Sequence, residues 1–155
     1  MTDTSSGEND PIRIFVTTGI AEPADYSRLL EYLESARGFR YKNTGASPLD
    51  ASLGAQALRE SLRTAIGRAE MVVALGELDE KEPDLCTFQL AFAQSAGKPV
   101  LLLPHFGSTK TPGKPLLQLV NETGEWNQRA IPDAIKRLAR GEDTNRWETI
   151  DFTLD

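Results

Sequence analysis

Three short, nearly continuous apolar runs mark the chain at positions 12–16, 71–75 and 99–103, closed by Thr17, Thr18 and Gly19, by Gly76 and by Pro104. Runs of this length that are rich in β-branched residues and leucine predict strands. The lack of apolar–polar alternation predicts that both faces of the last two are covered. Between the runs, apolar residues recur at helical spacing. Tyr26, Leu29, Leu30 and Leu33 form one stripe of a helix over 23–35, with Pro23 suited to its first turn and Gly38 to its exit. Leu58, Leu62, Ala65, Ile66 and Ala69 form another over 54–70. A third helix starts at Pro83 or Asp84, buries Leu85, Phe88 and Phe92, and stops at Gly97. A last one runs over 128–140 with Ala130, Ile131, Ala134, Ile135 and Leu138 inward.

The remaining segments read less sharply. Residues 39–43 alternate aromatic and basic side chains, predicting an edge strand whose charges discourage pairing with another sheet. Residues 44–53 read as a loop around Gly45, Ser47 and Pro48, 77–83 as an acidic loop, and 104–115 as a long turn-rich segment. Residues 116–120 suit one or two helical turns, and 124–127 a short fifth strand. The polar ends, 1–10 and 142–155, flank a single domain over 11–141. The first is expected to be disordered, and the second carries Trp147, Ile150, Phe152 and Leu154 in alternation, as a strand or a docked extension.

Strand and helix in alternation, with apolar central strands, predict an α/β fold: a flavodoxin-like, doubly wound parallel sheet of five strands in three layers. Such sheets bind ligands beyond the carboxyl ends of their strands, near the point where strand order reverses. The segments after the first, third and fourth strands, 17–23, 76–84 and 104–112, are therefore where a site is expected.

Composition narrows the chemistry. With a net charge of −6, the 155-residue chain is ill suited to non-specific binding of nucleic acid or an anionic membrane. Its lone cysteine, Cys86, forms no internal disulfide, and the first ten residues lack the pattern of a secretion signal, so a reducing, cytoplasmic location is expected. The lone histidine, His105, has no second histidine or thiol at ligand spacing, which argues against a zinc site.

Several motifs occur in a specific order: Phe39-x-Tyr41-x-Asn43-x-x-x-Ser47-Pro48, the apolar run ending at Gly76, Gly97-Lys98-Pro99 ahead of the next strand, and Trp126-Asn127 opening the last helix. In order and spacing, over roughly residues 12–140, the chain resembles the bacterial TIR-like domains. Within these it looks most like the short branch related to the TIR component of Thoeris anti-phage systems. The resemblance implies a flavodoxin-like fold and a ligand of the NAD or ADP-ribose type, with no further cofactor required. It also implies a role in immune-type signalling through self-association or a partner protein. Active members of the family break the nicotinamide–ribose bond with one glutamate in a Ser-x-Trp-x-x-x-Glu pattern on the third helix.

Counting back from Gly97-Lys98-Pro99, the tryptophan position falls on Leu85 and the glutamate position on Gln89, while Thr18 and Ile20 stand where relatives often carry His and Trp. A glutamine can hydrogen-bond a ribose but cannot stabilise developing positive charge. Losing such a term costs a few kcal/mol of barrier, roughly a hundred- to thousand-fold in rate. The expectation is therefore a nucleotide-binding or interaction module with weak or no catalysis. The alternatives are an active NAD glycohydrolase or cyclase using Asp84, Glu82 or Glu80, and an enzyme resembling nucleoside deoxyribosyltransferases.

Thr17, Thr18 and Gly19 offer backbone amides to a phosphate, and Asn43, Ser47, Gly76, Gln89 and His105 complete the candidate ligand contacts. Lys110 and Lys114 are further phosphate candidates. The competing structural readings are that Asn43 and Ser47 fix their own loop, that Asp84 serves the helix start, and that Cys86 and Trp126 pack in the interior.

Overall fold

In the computed structural model, which describes residues 10–142, β1 (Ile12–Val16), β2 (Tyr41–Asn43), β3 (Met71–Leu75), β4 (Val100–Leu103) and β5 (Glu122–Thr123) lie parallel in the order β2-β1-β3-β4-β5. The expectations for 1–9 and 143–155 lie outside the described residues. The chain steps from β1 outward to β2, then returns past β1 to β3 and continues the other way, so strand order reverses between β1 and β3.

The unbroken apolar runs follow from the pleat, because successive side chains point to opposite faces. Ile12, Ile14, Val16, Met71, Val73, Leu75, Leu101 and Leu103 face α1 (Ala24–Ser35) and α6 (Ala130–Arg140), meeting Leu29, Leu33, Ile131 and Ile135. Phe15, Val72, Ala74, Val100 and Leu102 face the opposite way, against Leu62 and Ile66 of α2 (Ala55–Arg68) and Cys86, Leu90 and Ala93 of α4 (Pro83–Ser95). This is the expected three-layer, flavodoxin-like α/β sheet. α4 ends as its sequence predicts: Gly97 takes φ +73°, and the amides of Gly97 and Lys98 donate to Gln94 and Ala93 carbonyls at 3.1 and 2.9 Å. No helix among the described residues is long and apolar enough to cross a membrane.

Three expectations need correction. The acidic segment after β3 is not a loop: α3 (Gly76–Lys81) starts directly from the strand. Glu77 and Asp79 sit in its first turn and Lys81 in its last, which suits the helix dipole, and Leu78 is fully buried beneath it. The buried face of α4 is turned from the expected one. Cys86, Gln89, Leu90 and Ala93 are buried, while Leu85, Phe88 and Phe92 flank them, because small side chains let the helix lie close to the sheet and the rings fill its margins. The fifth strand lies at Glu122–Thr123, two residues upstream of its expected start, and residues 124–127 form the turn into α6 (Ala130–Arg140). There Asn127 Oδ1 accepts from the Arg129 and Ala130 amides, both at 2.8 Å. The short helix α5 (Lys114–Leu117) fills the connection between β4 and β5, with Leu116 in the α2–α4 core.

Candidate functional site

The carboxyl ends of β1, β3 and β4 gather the candidate residues, but most of them bind one another. β1 runs into a loop whose amides, left unpaired, would face the crevice where strand order reverses. Three side chains from the α3–α4 segment take them up. Gln89 Oε1 accepts from the Thr18 amide at 3.2 Å, while its Nε2 donates to the Thr18 and Leu85 carbonyls at 2.8 and 3.0 Å. Glu82 accepts from Ile20 through Oε1 at 3.0 Å and from Ala21 through Oε2 at 3.1 Å. Glu77 accepts from Ala24 at 3.2 Å and from Asp25 at 2.8 Å, capping α1, whose N-cap position is Pro23 and offers no side-chain acceptor.

These bonds redefine the residues expected to contact a ligand. Gln89 is fully buried, and both ends of its carboxamide are engaged with backbone, so it is a clamp between α4 and the β1–α1 loop rather than a ribose contact. Thr17 is also fully buried, and its hydroxyl accepts from the Leu75 amide at 3.0 Å, tying β1 to β3. The Thr18 hydroxyl meets Ser47 Oγ at 2.7 Å, and Gly19 lies under the Glu82 carboxylate. Asn43 donates to the Tyr26 hydroxyl at 2.6 Å and accepts from Gly45, so it fixes its own loop and α1. Among the catalytic candidates, Glu82 is committed to the loop amides and Asp84 is exposed in the first turn of α4. Glu80 borders a cavity.

That cavity, of about 180 Å³, lies between α3 and the segment after β4. Asp79, Glu80, His105, Ser108, Lys110 and Thr111 provide its polar lining, and Pro104, Pro112 and Leu116 its apolar wall. His105 Nδ1 and Glu80 Oε1 are 2.8 Å apart. Burial, and then the charge of Glu80, raise the pKa of Asp79 above the ordinary aspartate value. Gly76 closes the floor of the cavity against the backbone of Pro104 and His105.

Sequence reasoning did not single out Asp25, Glu77 or Asp79. Asp25 is buried, accepts from the Phe106 amide at 2.9 Å and pairs with Arg28 at 3.3 Å, whose guanidinium stacks 3.8 Å from the Phe106 ring centroid. Trp126 packs edge-on against Phe106 and Tyr32 and donates to the Pro104 carbonyl at 2.6 Å. Together these contacts fix the segment carrying His105. The available signals were weak: Asp25 lies two residues after a helix-starting proline and Glu77 two residues after a buried strand, but the Phe106 and Asp25 amides they serve lie 81 and 52 positions away, respectively.

Burial raises the pKa of Glu77, but the Asp25 and Ala24 amides and the Lys81 ammonium outweigh it and leave the carboxyl below its ordinary value. Oxygens of Asp25 and Glu77 and a ring nitrogen of His105 lie within 4.8 Å of one another, a donor set of a type that metals use. Both carboxylates are already taken up by amides and by Arg28 and Lys81, at 3.3 and 3.0 Å. Cys86 is fully buried, and burial followed by the charge of Asp79 pushes its thiol up to about 12, which disfavours the nucleophilic thiolate at neutral pH.

No family model matches the chain, and comparison with curated proteins yields no match. Among solved structures, a protein from Burkholderia pseudomallei described as pilus assembly-related aligns with a TM-score of 0.51 and 20% identity, over 86% of this chain and 92% of its own. A CMP N-glycosidase from Clostridium botulinum aligns with a TM-score of 0.46 and 14% identity, over 80% of this chain and 98% of its own. The first likeness is one of fold and agrees with the α/β sheet.

Proposed function

We propose that this chain is a TIR-like module that binds a nucleotide of the NAD or ADP-ribose type, or a partner protein, in a bacterial immune-type signalling system, with little or no turnover. The observation that carries the reading is Gln89. At the position where the resemblance expects the cleaving carboxylate stands an uncharged side chain, fully buried and hydrogen-bonded to the Thr18 backbone on both sides. No charge is available there to stabilise an oxocarbenium-like transition state. Incubation of the purified protein with NAD should give no nicotinamide above the protein-free rate, while calorimetry with NAD or ADP-ribose should give saturable heat. Sustained nicotinamide release would overturn the loss of catalysis. No heat with either compound would leave only the interaction role.

A second reading has a specific observation behind it. Glu80 borders the cavity beside Asp79 and hydrogen-bonds His105, so a glycosidic bond held there would meet carboxylates from α3 rather than α4. In that case nicotinamide release would occur and would fall at least a hundredfold in Glu80→Gln, with Asp84→Ala unchanged.

A further inference from the structure

The β1–α1 loop already holds an anion, the carboxylate of Glu82. Each oxygen takes one of two consecutive amides, Ile20 and Ala21, at 3.0 and 3.1 Å. Gly19 lies against the same carboxylate, and a Cβ there would overlap both oxygens. Consecutive backbone N–H groups converging on one anion, with a glycine that permits close approach, form the kind of concavity that binds phosphate in other folds. Here the occupant is one of the protein's own side chains.

The three groups that close the loop are not equally exchangeable. Gln89 is fully buried and Glu77 nearly so, and the Thr18 and Asp25 amides they serve are buried with them, although Ala24, whose amide Glu77 also accepts, is exposed. Glu82 is half-buried at the junction of α3 and α4, and Ile20 and Ala21 are exposed. Its side chain can therefore turn into water without breaking either helix. A phosphoryl group carries more negative charge than a carboxylate and has three acceptor oxygens, so it competes well for the same two donors.

We propose that the β1–α1 loop is an oxyanion seat kept closed by Glu82, and that a phosphoryl group takes the place of the carboxylate when ligand binds. The inference deepens the nucleotide reading and rests on it for the identity of the ligand. The seat itself can be tested with inorganic phosphate.

Thermal unfolding of Glu82→Ala is compared in chloride, formate and phosphate at matched ionic strength. The midpoint is expected to fall in chloride relative to the parent protein and to rise along a saturating curve with phosphate. The parent protein should respond far less, and Glu82→Ala combined with Ile20→Pro, which removes one donor, should lose the response. A folded Glu82→Ala whose midpoint is the same in phosphate and chloride would sink the proposal, as would recovery by formate alone. If Glu82→Ala does not fold, Glu82→Gln replaces it, and the readout becomes the amide resonances of Ile20 and Ala21 during phosphate titration. Saturable shifts support the seat, and unmoved resonances overturn it. A phosphate response without heat from NAD or ADP-ribose keeps the seat and removes the nucleotide. Heat without a phosphate response does the reverse.

Discussion

A glutamine at position 89 is a change of one atom from the acid that the resemblance expects, but the surroundings make the two very different. Gln89 Nε2 donates to two carbonyl oxygens, those of Thr18 and Leu85. A carboxylate there would face both oxygens with nothing to donate. Gln89→Glu should therefore not create a glycohydrolase. It should destabilise the protein by about 2–4 kcal/mol at neutral pH, the usual scale for a buried charge left facing acceptors. Burial and the two carbonyls would raise the pKa of this carboxyl in the folded state above its unfolded value of about 4.3, so the penalty is small below that pH and grows as pH rises through the folded pKa. Urea denaturation of parent and variant at pH 5 and pH 8 should show the gap widening with pH. A constant gap, or a gain of nicotinamide release, would contradict the clamp. The sequence showed which residue stands at 89 but not that its carboxamide is turned inward, because the Thr18 backbone it binds is 71 positions away.

Elements with a strong period of their own were legible, and those defined by distant partners were not. The observed bounds of β1 and β3 coincide with their apolar runs, and Gly97 stops α4 as expected. α3 escaped notice because a run of acids reads as solvated, and its burial depends on Leu78 and on Glu77 reaching the start of α1. β5 is two residues long, too short to show any alternation. The segment after β4 has almost no regular structure, and its order comes from side chains. Trp126 donates to the Pro104 carbonyl, and Asp25 accepts from the Phe106 amide. Trp126→Phe keeps an edge for Tyr32 and Phe106 but removes the donor, so it should cost about 1–2 kcal/mol in urea denaturation. It should also speed amide exchange across residues 105–113. Unchanged exchange there would mean that the indole does not hold the segment.

At the scale of the molecule the sheet has two differently secured ends. At the amino ends of its strands, Glu70 accepts from the Arg13 amide at 3.0 Å and pairs with Arg140 at 2.8 Å, joining β1, the approach to β3 and the end of α6. At the carboxyl ends, where folds of this class bind ligands, Glu77, Glu82 and Gln89 perform a similar joining role with backbone amides. The layered architecture was readable from apolar runs because it depends on burial, which composition carries. Which polar side chains would turn inward was not readable, because that depends on amides supplied by other elements.

The chain's lone thiol gives these packing relations an optical clock. Cys86 is fully buried between α4 and the sheet, and its thiol is held far from ionisation, so a chromogenic disulfide reagent should find almost nothing to attack in the folded protein. Colour should develop only as α4 lifts away, at a rate that follows the opening equilibrium under excess reagent and rises with added urea. Reaction as fast as that of the unfolded chain would show that α4 is not seated as described. With one cysteine and no engineered label, every molecule would report the same event.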